Sequence, residues 1–146
     1  MIATSGKIRY GSGFKYQLKN FFWVQTKIAG NHSRIEDLDN LRSPWVRVTL
    51  DGVLEIKAGY AWDGASGPTF DTRSTMRASL VHDALYQLMR AGKLSQAERD
   101  EADKLLYDLM IQDGAFAWRA KLWLWTLRRF AGYAAEQRPE NIQEAP

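Results

Sequence analysis

The chain has 146 residues, enough for one core of ordinary size and too few to call for a second domain. Its 45% hydrophobic and 25% charged content excludes wholesale disorder, and the absence of cysteine excludes a disulfide framework and a thiolate metal site. The net charge of +3 permits attraction to anionic lipid or nucleic acid, yet no block of like charges demands either. No segment is apolar for the length of a membrane span, and the N-terminus lacks the basic and then apolar layout of a signal peptide, so export by that route is not expected.

In chain order, residues 1–20 mix glycine, serine and isolated aromatics, with Lys7-Ile8-Arg9-Tyr10 as a short strand. Phe21 to Thr26 is aromatic and β-branched and is followed by the breaker pair Gly30-Asn31, which predicts a second strand. His32 falls in a polar stretch and reads as a surface side chain. Trp45 to Leu50 and Val53 to Lys57 alternate in polarity around Asp51-Gly52, the pair preferred in a two-residue type I′ hairpin turn.

The helical half begins after Pro68. Asp71, Thr72 and Ser74 are all suitable N-caps for a helix that runs to Arg90 and stops at Gly92. Ser95 and Glu98 have capping-box spacing, opening a second helix that runs to about Gln112 with Gly114 as its stop. A third helix is expected from Ala115 to about Ala135. The short loops predict antiparallel packing of the first two helices. The expected fold is therefore one α+β domain over residues 1–135, a small antiparallel sheet followed by three helices, with a polar tail at residues 136–146 that is mobile unless a partner holds it.

The chemistry gathers on the first two helices. At about 100° per residue, His82 shares a face with Ala78, Leu85, Tyr86 and Met89 and should look inward, with Asp83 at the edge of that face. Asp103 sits among Leu106, Tyr107 and Met110 at the margin of the apolar arc of the second helix. Antiparallel pairing would set Asp103 against His82, fixing the imidazole tautomer as a general base requires. Asp83 and the carbonyls of the glycine-bearing loop Asp63 to Pro68 would suit a hard cation such as calcium, able to stabilise an oxyanion. The competing reading is a satisfied core polar network, with Tyr86 and Tyr107 as core aromatics. Two histidines far apart, without a His-Glu-x-x-His spacing, do not make a usual zinc set.

Two resemblances rest on these residues. The run Gly59-Tyr60-Ala61-Trp62-Asp63-Gly64-Ala65-Ser66-Gly67-Pro68, then Leu80-Val81-His82-Asp83-Ala84-Leu85-Tyr86 and Ala102-Asp103, resembles the phage and prophage family of domain of unknown function 1353 over roughly residues 20–112. That resemblance implies a viral or prophage origin, hence a place in the virion or in the host cytoplasm during infection. His-Asp-x-x-Tyr on one helix, an aspartate on the next and a glycine-bearing loop upstream are similar to secreted phospholipases A2. The second resemblance implies that His82 activates water, Asp83 with carbonyls around Gly64, Ser66 and Gly67 holds calcium, Asp103 orients His82, and Tyr86 supports Asp103. The chain departs from those enzymes in lacking their cysteines and their calcium-loop sequence and in carrying a β region before the helices.

The third helix offers a different class of function. Phe116, Leu122, Trp123, Leu127, Phe130 and Tyr133 are expected to form the stripe that covers the core. Trp118 and Trp125 fall off that stripe beside Lys121, Arg128 and Arg129, as suits a protein interface, in the virion or on a host protein, or a membrane surface. Nucleic acid is the least favoured partner. Two readings follow: a phage-encoded hydrolase acting on lipid or the cell envelope, or a virion-associated or host-directed interaction protein whose His-Asp cluster is structural.

Overall fold

The computed structural model describes residues 1–11, 16–28, 45–49, 51–62, 64 and 72–130, the side chain of Phe130 excepted. Among these residues the architecture is α+β: six short strands followed by three helices. The strands form two antiparallel sheets of three rather than one. β1 (Tyr10–Gly11), β2 (Tyr16–Leu18) and β6 (Ala61–Trp62) make the first, in the order β1-β2-β6. β3 (Phe22–Gln25), β4 (Val46–Val48) and β5 (Val53–Ile56) make the second, in the order β3-β5-β4. The expected strand at Lys7 to Tyr10 is present only as its last residue, extended by Gly11.

In the second sheet the alternation works as expected. Phe22 and Val24, Val46 and Val48, and Leu54 and Ile56 all face the core, with Val46 opposite Ile56 and Val48 opposite Leu54. The turn between β4 and β5 is not the two-residue type I′. Asp51 does not take the positive φ that type I′ requires, because among the described residues only glycines do so. Instead Gly52 alone is left-handed at φ 77°, its N–H donates to the Thr49 carbonyl at 3.0 Å, and the Thr49 N–H donates to the Val53 carbonyl at 2.8 Å. This is a three-residue loop with a glycine bulge, a common alternative that asks for one positive φ and spares a non-glycine residue the cost of another.

The N-terminal segment is stitched to this sheet. Gln25 N–H donates to the Ala3 carbonyl and Ser5 N–H to the Trp23 carbonyl, so residues 3–5 protect the free edge of β3.

Helix α1 (Arg73–Arg90) starts at Thr72, whose N–H donates to Thr75 Oγ1 at 2.9 Å. It ends where Gly92, at φ 70°, turns the chain and its N–H reaches the Met89 carbonyl. Helix α2 (Arg99–Gln112) is preceded by a 3₁₀ turn at Gln96–Glu98. The expected capping box is replaced there by a shorter cap, with Ser95 Oγ accepting from the Ala97 N–H at 3.1 Å. Helix α3 spans Ala117–Phe130.

The pairings Arg77 to Asp113 and His82 to Asp103 run in opposite directions along α1 and α2, so the two helices are antiparallel as expected. On α3 the core face is Ala120 and Trp123, with Leu127 partly buried against it. Phe116 and Leu122, expected in that stripe, are exposed instead. Phe116 precedes the helix, and Leu122 lies on the side of α3 turned away from Ala120 and Trp123, because the contact with α2 takes only a narrow arc of the helix. His32, Tyr133 and the tail at 136–146 lie outside the described residues. No helix among the described residues is long and apolar enough to cross a membrane.

Candidate active site

Two helices and one strand end build the site. The apolar periodicity of α1 buries Leu85, Leu88 and Met89, and this rotation carries His82 to the seam with α2. On α2 the burial of Ala102, Leu105, Leu106 and Leu109 turns Asp103 towards the same seam. His82 Nε2 lies 2.7 Å from Asp103 Oδ1, and the Tyr86 hydroxyl donates to that same oxygen at 2.6 Å. The carboxylate is fully buried, and the histidine side chain retains 12% exposure. His82 and Tyr86, one turn apart, also have their rings 4.1 Å apart at 35°, which limits rotation of the imidazole.

An ionised aspartate can only accept, so His82 carries its proton on Nε2 and leaves the Nδ1 lone pair available. Among the described residues nothing bonds to that second nitrogen. Asp103 Oδ2 is likewise without a hydrogen-bond partner among them, although it is buried. Burial first, and then the hydrogen bond to Asp103, push the Tyr86 phenol above its ordinary range, so this group stays a donor. Arg99, one turn before Asp103 on α2, acts on the phenol in the opposite sense.

Asp83 takes a different environment. Its Oδ2 accepts from the Tyr60 hydroxyl at 2.7 Å, and no described residue bonds to its other oxygen. Tyr60 reaches it because the chain between β5 and β6 is anchored: Gly59 N–H donates to the Leu18 carbonyl, and Leu18 N–H to the Tyr60 carbonyl. One turn before Asp83, Ser79 Oγ accepts from the Trp62 indole at 3.1 Å. The strand that enters the glycine-bearing loop is therefore tied to the same face of α1 as Asp83.

Of the residues singled out in the sequence, His82, Tyr86 and Asp103 come together. Asp83 points to a separate polar contact. Gly64 is described, at φ 81°, and Asp63, Ser66, Gly67 and Pro68 lie outside the described residues. Among the described residues no three acidic or histidine side chains converge on one metal site. An open carboxylate oxygen on Asp83 suits a hard cation, whose other ligands would have to come from loop carbonyls. Trp118 and Trp125 are exposed on α3.

Sequence reasoning missed Tyr60 and Arg99. Tyr60 stood inside the Gly59 to Pro68 run, and Arg99 is four residues before Asp103 on one helix face, a spacing that marks neighbours.

The family model described as "Protein of unknown function (DUF1353)" matches residues 40–127, more than half of the chain and the whole of α1 and α2. No curated protein and no solved structure matches it significantly.

Proposed function

The chain belongs to the DUF1353 family of proteins of unknown function, and from its own side chains we propose that it is a hydrolase with His82 as general base. The observation that carries this reading is the pair of donors on one buried oxygen, His82 Nε2 at 2.7 Å and Tyr86 Oη at 2.6 Å from Asp103 Oδ1. That arrangement orients an imidazole and leaves its other nitrogen without a partner among the described residues, which is what activation of a water requires. The proton passes from water to Nδ1, the resulting hydroxide adds to an ester carbonyl, and the proton is returned to the departing alcohol. Asp103 stabilises the imidazolium formed in between, and Tyr86 holds Asp103 in place.

The substrate class we assign is an ester of a lipid or of the cell envelope. A calcium ion bound by Asp83 with carbonyls of Gly64, Ser66 and Gly67 would stabilise negative charge on the carbonyl oxygen. The open oxygen of Asp83 supports this assignment. The origin we assign, on the resemblance of the Gly59 to Pro68 and Leu80 to Tyr86 runs, is phage or prophage.

The test is fatty-acid release from mixed anionic and zwitterionic vesicles, in calcium and in chelator, by the wild type and by His82→Ala. Calcium-dependent release that vanishes in a folded His82→Ala protein is the expected outcome. The burial of Asp103 favours a second reading, in which the cluster is a structural network of an interaction protein. That reading expects no release and a His82→Ala variant that is mainly less stable.

A further inference from the structure

We infer that the outer face of α3 is a docking surface for an anionic lipid membrane. Trp118, Leu122 and Trp125 recur at i, i+4 and i+7, the spacing of a single helix face, and are 67%, 40% and 57% exposed. The opposite face, Ala120 and Trp123, is buried against the core, so α3 is anchored through that face and this stripe is turned to the outside. Phe116, just before the helix, adds a fourth exposed apolar side chain.

The charges identify the occupant. Helix α3 carries Arg119, Lys121, Arg128 and Arg129 and no acidic residue. Lys121 and Arg128 are exposed beside the indoles, and the Arg129 guanidinium lies 5.7 Å from the Trp125 ring centroid. A second copy of the chain would bring these cations against their own kind, which opposes pairing through this face. Nucleic acid would satisfy the cations but gives the Leu122 side chain nothing to enter. An anionic bilayer surface matches both halves: tryptophans settle at the headgroup level, Leu122 enters the acyl boundary, and each basic residue gains from the surface potential. At 14 residues α3 is too short to span the bilayer and would lie in its plane.

The inference stands on α3 alone and does not need the site at His82. The test is co-sedimentation of the full chain with phosphatidylcholine vesicles, with and without phosphatidylglycerol. Wild type is expected to bind the anionic vesicles preferentially and to be released by added salt. The double variant Lys121→Ala/Arg128→Ala should partition about thirtyfold more weakly onto them. Trp118→Ala/Trp125→Ala should lose binding while still unfolding cooperatively, and His82→Ala should bind like wild type. The inference is overturned by equal binding to both vesicles, by no binding, or by variants that bind as wild type does. It is equally overturned by a dimer that the tryptophan variant dissolves, or by preferential capture of a single-stranded oligonucleotide.

Discussion

His82 and Asp103 face each other across the helix pair with Nε2 2.7 Å from Oδ1, and of the two only the histidine reaches solvent. The carboxylate is a fixed buried anchor, and the imidazole is the group through which the cluster can meet another molecule. Such an asymmetry is costly to maintain in a small core unless the buried charge is well partnered.

Asp103→Asn keeps the volume of the side chain but removes the negative charge that holds the Nε2 proton and stabilises the imidazolium. His82 is then free to adopt the other tautomer, with Nδ1 protonated. We predict that turnover falls by about 10²–10⁴ and that unfolding free energy falls by about 1–3 kcal/mol. Ester-hydrolysis kinetics and urea unfolding of one preparation check both.

Tyr86 sets a pH dependence. Its folded value is raised, by burial first and by Asp103 second, so the folded chain resists ionisation that the unfolded chain accepts. The stability contributed is therefore fully present below the ordinary tyrosine value of about 10 and is lost as pH rises above it. Denaturant midpoints should fall more steeply above that pH in wild type than in Tyr86→Phe. Parallel curves would remove the effect from Tyr86.

Arg77 joins three segments. Its guanidinium makes two bonds to Asp113, at 2.5 and 3.1 Å, and two more to Thr4 Oγ1 and the Gly6 carbonyl. Arg77→Ala should cost about 2 kcal/mol, less than for a fully buried pair because both side chains keep some solvent. Arg77→Lys should recover only part, since a point charge cannot serve all four acceptors. Urea unfolding of the two variants measures the difference.

Gly59 holds the Tyr60 link to Asp83 in place. Its φ is 101°, and a Cβ there would come within 2.7 Å of the Trp45 ring. Gly59→Ala should lose about 1–3 kcal/mol, and Tyr60→Phe, which removes the hydroxyl that donates to Asp83, should lose less. Thermal unfolding ranks the two.

The helices and the hairpin were legible because periodicity and breakers are local signals. Leu80 to Met89 and Ala102 to Met110 show which faces turn inward, and with the short loop this sufficed to set Asp103 against His82. The hairpin turn type was not legible, since Asp51-Gly52 supports either the two-residue or the three-residue loop and only the pairing of Thr49 with Val53 decides. The division into two sheets depends on Trp62 pairing with Tyr16, across more than forty residues, which no local pattern encodes. The apolar spacing of α3 describes a wide stripe that includes Leu122. Its contact with α2 is narrow, and the excess apolar surface became the outer face.

The most direct measurement is fatty-acid release by wild type and His82→Ala, paired with the unfolding free energy of each protein from the same preparation. The account predicts release in calcium by wild type, none in chelator, and none by a His82→Ala protein that still unfolds cooperatively. Release that persists in His82→Ala would contradict it, as would a wild type that releases nothing while His82→Ala is simply destabilised.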